Sequence, residues 1–287
     1  MNGNGAAIQS SHQASSTLKD QLIIITHAVL VGLTPLIPIP LLDDLVKGYF
    51  YRSLVKSVAS LYDLSLSPNE IAALAEERNA GCLNGCVFWL FEHLVKRLVR
   101  KVLFILEWRR AIDLVTHTYY YGYLLNHALK QGWCTPANPE RAVQLRDAIE
   151  QARKGANTTL LKRIVQSAFN QSKQLIISAV QQISDSIKDI VVRRSRTWLR
   201  RTLAVRLRQR APRPARWLYR FLRPTEEEKE QLHRVESEVD ERLSRESPRL
   251  QDALSSVIMQ LQAGITGLPE GHFDEMQTAL AQSLRAA

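Results

Sequence analysis

Residues 94–123 read LVKRLVRKVLFILEWRRAIDLVTHTYYYGY, and the spacing of their apolar members decides the fold class. Leu94, Leu98, Val102, Ile105, Trp108, Ile112, Val115, Tyr119 and Tyr123 follow one another at steps of three or four, the period of one face of an α-helix. Lys96, Arg97, Arg100 and Lys101 occupy the opposite face of the first half, and Glu92 stands one turn before Lys96, placed to pair with it. The helix is expected to extend from Leu83 to about Gln131. A helix of that length carries a bend, with Gly122 and the Arg109-Arg110 pair as its candidate positions.

Towards the C-terminus, the turn Gly132-Trp133-Cys134-Thr135-Pro136 closes this helix. Asn138-Pro139-Glu140 opens the next, from Pro139 to about Lys154. After Gly155 a second long helix is expected, with Leu161, Ile164, Val165, Ala168, Leu175, Ile176, Ala179, Ile183, Ile187 and Ile190 on its apolar face. It leads directly into an arginine-rich segment. Beyond Pro224 the charge changes sign, and Pro248 and the Gly264 to Gly271 stretch are expected to divide the rest into short helices around Leu250 to Leu261 and Phe273 to Leu284.

Towards the N-terminus, Ser67-Pro68-Asn69-Glu70 has the pattern of a capping box, with serine at the N-cap, proline at the first helical position and glutamate three residues after the cap. Asp43 or Asp44 is placed to N-cap a helix of period 3.6 through Leu45, Tyr49, Leu54, Val58 and Leu61. Before it, Leu22 to Leu42 carries no formal charge, but Pro35, Pro38 and Pro40 interrupt it. Pro35 lacks an amide donor and pushes Thr34 out of helical geometry. Leu22 to Thr34 then spans only about 20 Å, against about 30 Å of bilayer core. The stretch reads as a buried helix-to-helix corner, with shallow lipid insertion as the alternative.

No run keeps a period of two, so the expected fold is all-α: a bundle of long amphipathic helices with a proline-broken apolar N-terminal segment. The Gly/Ser/Gln/Asn-rich residues 1–17 are expected to form a disordered tail. Residues 18–192 would be a helical core, 193–224 an arginine-rich arm, and 225–287 an acidic helix followed by C-terminal helices. The 45% hydrophobic and 23% charged content of the 287 residues is that of a globular chain.

The formal net charge is +10, yet Arg193 to Arg223 alone contains 12 arginines and no lysine or acid. The remainder is therefore slightly acidic, and the basic character is confined to one arm. In its first part Arg193, Arg194, Arg196, Arg200 and Arg201, then Arg206, Arg208 and Arg210, are interleaved with Trp198, Leu199, Leu203, Val205 and Leu207. After Pro212 and Pro214 come Arg216, Trp217, Leu218, Tyr219 and Arg220. A basic helix with tryptophan and leucine on its other side suits the interfacial plane of an anionic bilayer. Nucleic-acid phosphates would attract the same charge, and the acidic segment Glu226 to Glu246 is an internal alternative.

Other constellations carry less. Cys82-x3-Cys86-x6-His93 lacks a fourth metal ligand, so its cysteines read as small core residues. Three cysteines, Cys82, Cys86 and Cys134, form no disulfide framework and point to a reducing compartment. The first 21 residues lack the features of a secretory signal. Asp113 and His117, at i and i+4, form a candidate acid/base or metal pair, more simply read as a satisfied His-Asp hydrogen bond. Tyr119, Tyr120, Tyr121 and Tyr123 read as inter-helix aromatic packing, or as an interfacial belt. No phosphate-binding glycine loop, Gly-x-Ser-x-Gly or His-Glu-x-x-His is present, and no cofactor is expected.

Gly32-x-x-Pro35-x-x-Pro38-x-Pro40 followed by Leu41-Leu42-Asp43-Asp44 resembles the apolar helix, proline turn and acidic helix start of bacterial EcsC-like families and related helical membrane-associated domains. Those families are linked to membranes or transport. The match covers a short part of the chain, and no functional residue is carried over from it. The expectation is a cytoplasmic, peripherally membrane-associated adaptor or structural protein that binds an anionic membrane surface. Nucleic acid, a protein partner or a second copy met through amphipathic helices are further partners considered. A nucleic-acid-binding protein, and then an enzyme using Asp113 and His117, are the alternative functions.

Overall fold

The computed structural model describes residues 4–37, 42–75, 100–134, 138–186, 226–269 and 271–286. The described part is 86% helical and has no strand, as the three-to-four-residue periodicity requires. Helix α1 (Asn4–Gly32) begins inside the stretch expected to be a disordered tail. No glycine or proline lies between Ala6 and Val31, and once the apolar half holds a helix, each residue added to its end costs little.

Pro35 acts as expected. Helix α1 stops at Gly32 and a 3-10 turn spans Thr34–Leu36. Thr34 Oγ1 donates to the Val31 carbonyl at 2.8 Å, and Leu33, Thr34 and Ile37 are all buried. The proline turn is therefore an interior corner. The apolar residues ahead of it, from Ile24 to Leu33, are consumed by the core: Ile24, Ile25, Val29, Leu30, Val31 and Leu33 are each at most 2% exposed.

Helix α2 (Leu42–Ser60) buries Val46, Phe50, Leu54, Val55 and Val58. Because it starts at Leu42, Asp43 and Asp44 lie in its first turn instead of at the N-cap. Helix α3 (Pro68–Ala75) is only two turns long and is held at both ends. The Ser67 amide donates to Glu70 Oε2 at 2.8 Å and the Glu70 amide to Ser67 Oγ at 3.3 Å, completing the capping box. At the other end Arg146 Nη1 donates to the Ala73 carbonyl at 3.1 Å, and the Tyr121 hydroxyl to the Leu74 carbonyl at 2.5 Å. These satisfy two carbonyls that a helix C-terminus leaves open.

Helix α4 (Arg100–Lys130) is the described part of the long helix expected from Leu83, residues 83–99 lying outside the described residues, and it runs without interruption through Arg109, Arg110 and Gly122. Gly122 serves close packing: a Cβ there would lie 2.8 Å from Ile24 Cγ2. Gly32 plays the matching part on α1, where a Cβ would lie 2.1 Å from Val115 Cγ2. The two contacts show that α1 and α4 run antiparallel with their backbones unusually near. The apolar face of α4 is buried from Ala111 to Leu129, but Ile105 is 57% exposed, contrary to its expected place in the core.

Helix α5 (Pro139–Lys154) opens as expected, with Asn138 Oδ1 accepting from the Arg141 amide at 3.1 Å. Helix α6 (Thr159–Gln171) ends at Ser172, and α7 continues over residues 173–186. The second long helix is thus broken at Ser172. Of its expected face, Leu161, Val165, Ala168, Ile176, Ala179 and Ile183 are buried, Leu175 is exposed, and Ile187 and Ile190 lie outside the described residues.

Helix α8 (Glu226–Thr266) passes straight through Pro248, which was expected to divide it. A proline forfeits one backbone hydrogen bond and crowds the preceding turn. Leu243, Leu250, Leu254, Val257 and Leu261, all buried, hold both sides of it against the bundle. Gly264 seats α8 on α6, where a Cβ would meet Ile164 Cγ2 at 2.4 Å. Helix α9 (Asp274–Ala286) closes over α4 and α5.

Candidate functional site

Every residue put forward for membrane or anion binding, from Arg193 to Arg220, lies outside the described residues, as do Cys82, Cys86 and His93. Three acids of the segment beyond the arm, Asp240, Glu241 and Glu246, have partners among the described residues. Arg52 Nη2 meets Asp240 at 3.1 and 3.0 Å, Gln182 Nε2 donates to Glu246 Oε2 at 3.2 Å, and Arg245 pairs with Glu241.

Asp113 and His117 lie one turn apart on α4. The Asp113 carboxylate binds Lys162 Nζ of α6 at 2.5 Å, and His117, one turn on, is exposed. No cluster of three or more metal-binding side chains occurs among the described residues. The tyrosines form internal packing: Tyr119, Tyr120 and Tyr121 are buried, and Phe273 stacks on Tyr123 with centroids 4.1 Å apart. Tyr120 Oη meets His272 Nε2 at 3.0 Å, and burial pushes its hydroxyl up to about 12. Cys134 is a buried thiol whose pKa is raised first by burial and then by the Glu70 charge, the condition of an inert structural cysteine.

Two polar sites were not visible in the sequence. His27 is buried between α1 and α2. Its Nδ1 lies 2.8 Å from the Ile23 carbonyl and its Nε2 lies 3.1 Å from Ser53 Oγ and 3.3 Å from Ser57 Oγ. A carbonyl only accepts, so Nδ1 carries the proton and Nε2 accepts from a serine hydroxyl. Burial lowers the imidazole's pKa below its ordinary value, with the Ile23 bond opposing. An oriented histidine beside a serine is one element of nucleophilic catalysis. Here a backbone carbonyl stands where an activating acid would be, and the ring is satisfied in its neutral form.

The second is a cleft of about 590 Å3 between α4 and α6. Ile105, Trp108, Arg109, Ile112 and Asp113 form one wall; Lys162, Gln166 and Asn170 form the other, with Lys173 at the start of α7. The indole of Trp108 packs edge-on to Phe169 at 5.7 Å, its Nε1 donates to Asn170 Oδ1 at 3.2 Å, and Lys173 Nζ sits 6.0 Å from its ring centroid. Three cations therefore face one carboxylate around an aromatic ring. The lining residues are some 60 positions apart in the chain, so only their shared face on packed helices brings them together.

No helix among the described residues is long and apolar enough to cross a membrane. No family model, curated protein or solved structure matches this chain.

Proposed function

We propose that this chain is a non-enzymatic helical adaptor or structural component that binds an anionic lipid surface peripherally, through the arginine and tryptophan residues of 193–220. The observation that carries the reading is the arm's composition: 12 arginines without an acid between Arg193 and Arg223, interleaved with Trp198, Trp217 and leucines. Two structural features support it. Asp240, Glu241 and Glu246 have partners within the described helices, which leaves fewer acids of that segment to pair with the arm. The apolar stretch of α1 is core, so attachment by charge is favoured over insertion. The local resemblance of residues 32–44 to EcsC-like membrane-associated domains agrees with the same reading.

Flotation with phosphatidylserine-containing liposomes at low salt tests it. Full-length protein should float, should be released by high salt, and should stay at the bottom when Arg200, Arg201, Arg206 and Arg208 are replaced by glutamine. Wild-type protein that remains at the bottom at low salt defeats the proposal. If the protein instead shifts random RNA or DNA on a gel with a steep dependence on salt, the nucleic-acid reading takes its place.

A further inference from the structure

We infer that the cleft between α4 and α6 binds one monocarboxylate with an apolar tail, of the fatty-acid class, and that Arg109 takes the carboxylate. The inference stands apart from the arm and from the membrane role proposed for it.

The two walls run antiparallel and meet in rungs. Asp113 of α4 binds Lys162 of α6 at 2.5 Å, and earlier on α4 Trp108 Nε1 donates to Asn170 Oδ1, later on α6, at 3.2 Å. Between these two rungs, one turn from Asp113 and one turn from Lys162, Arg109 stands opposite Gln166, and both line the cleft. The outer rungs are closed by their own partners. The middle one sets a cation against a neutral amide. Arg109 is exposed and has no ion-pair partner among the described residues. Lys173 lies 6.0 Å from the Trp108 ring centroid and has interactions of its own, so the site draws its charge from Arg109 alone.

One uncompensated cation calls for one negative charge. A carboxylate meets a guanidinium through two parallel N–H donors, and the Gln166 NH2 is a further donor to the same oxygens from the facing wall. Beside this rung the cleft is lined by the half-buried Trp108 ring, the buried Ile112, and Ile105, which is 57% exposed. A run of methylenes leading away from the carboxylate would cover these side chains and take Ile105 out of water. A small hydrophilic anion would make no use of them. The cleft also falls within the usual size of ligand sites, about 300 to 1,000 Å3.

The test is calorimetric titration of full-length protein with decanoate below its micellar concentration. Saturable binding with a stoichiometry of one is expected. Arg109→Gln should bind roughly tenfold more weakly with an unchanged unfolding midpoint. Arg109→Lys should fall between the two, because it keeps the charge and loses the fork. Gln166→Glu places the missing carboxylate on the protein itself, so it should abolish decanoate binding without lowering the unfolding midpoint. Acetate lacks the tail and decanol lacks the charge, and each should bind at least roughly tenfold more weakly than decanoate. Absence of saturable binding, indifference to Arg109→Gln or to Gln166→Glu, or equal binding of acetate or decanol overturns the inference. The arm variant, with Arg200, Arg201, Arg206 and Arg208 replaced by glutamine, should lose flotation and keep the decanoate titration. Loss of decanoate binding in that variant would put the site on the arm and overturn the inference as well.

Discussion

Glu70 is fully buried at the junction of two loops, and its carboxylate ties together segments far apart in the chain. Oε2 accepts from the Ser67 amide at 2.8 Å and Oε1 from the Asn138 amide at 3.1 Å, so one side chain starts α3 and holds the entry to α5. Each bond to a charged acceptor is worth about 1.5–3 kcal/mol, and a buried amide left unpaired costs about 1–3 kcal/mol. Glu70→Gln keeps one acceptor but turns an NH2 towards a backbone donor, so one bond is lost and two donors face each other. The expected loss is about 2–4 kcal/mol. Glu70→Ala removes both acceptors and should cost about 3–5 kcal/mol. Ser67→Ala removes only the 3.3 Å cap bond and should cost about 1 kcal/mol. Urea unfolding followed by far-UV circular dichroism gives all three values. Because the tie spans 68 positions, the whole transition should move with its slope unchanged. A Glu70→Gln midpoint indistinguishable from wild type, or a cost no greater than that of Ser67→Ala, would refute the reasoning.

Further outcomes follow from the close approaches and the buried imidazole. Gly32→Ala places a methyl 2.1 Å from Val115 Cγ2 and should destabilise by about 1–3 kcal/mol; Val115→Ala in the same chain should recover part of that loss, and a purely additive double variant would show that the clash is not the cause. His27 has a folded pKa below its ordinary 6.5 because burial disfavours the charged ring. Between the folded value and 6.5 the unfolded chain holds a proton that the folded chain lacks, so stability is full above 6.5 and declines as pH falls below it. The urea midpoint should therefore drop from pH 7.5 to 5.5, and drop less in His27→Gln; equal drops would remove His27 as the source.

Local chemistry was legible in the sequence, and distant chemistry was not. The capping box at Ser67 to Glu70 and the Asn138-Pro139 start are written in four consecutive residues, and both form as read. The same Glu70 also binds the Asn138 amide, which no local pattern could show because the partner lies in another loop. Ile105 keeps the helical spacing of the core face but lies ahead of Ala111, where the buried face of α4 begins, so its period is right and its burial is not. Pro248 is a breaker by its own chemistry, and the helix persists because buried leucines on both sides hold it to the bundle. The cleft was invisible for a related reason: Trp108 and Asn170 meet only through the packing of α4 on α6.

The burial of α1 constrains how this protein can meet a membrane. Moving Ile24 to Leu33 into lipid would strip the faces of α2 and α4 that now cover them, leaving side chains such as Leu54 and Val115 in water. Each buried side chain of that size is worth about 1.5–3 kcal/mol, so losing several exceeds much of the about 5–15 kcal/mol that keeps a domain folded. Insertion of Ile24 to Leu33 would thus unfold the bundle before it anchored the chain. On the proposed role, attachment that leaves the fold intact would come from the charge of the arm. Such attachment weakens as added salt shortens the screening length from about 30 Å at 0.01 M to about 3 Å at 1 M, whereas an inserted helix would hold under the same wash. Retention of the folded protein on anionic liposomes at 1 M salt would contradict the placement of α1 in the core as well as the role given to the arm.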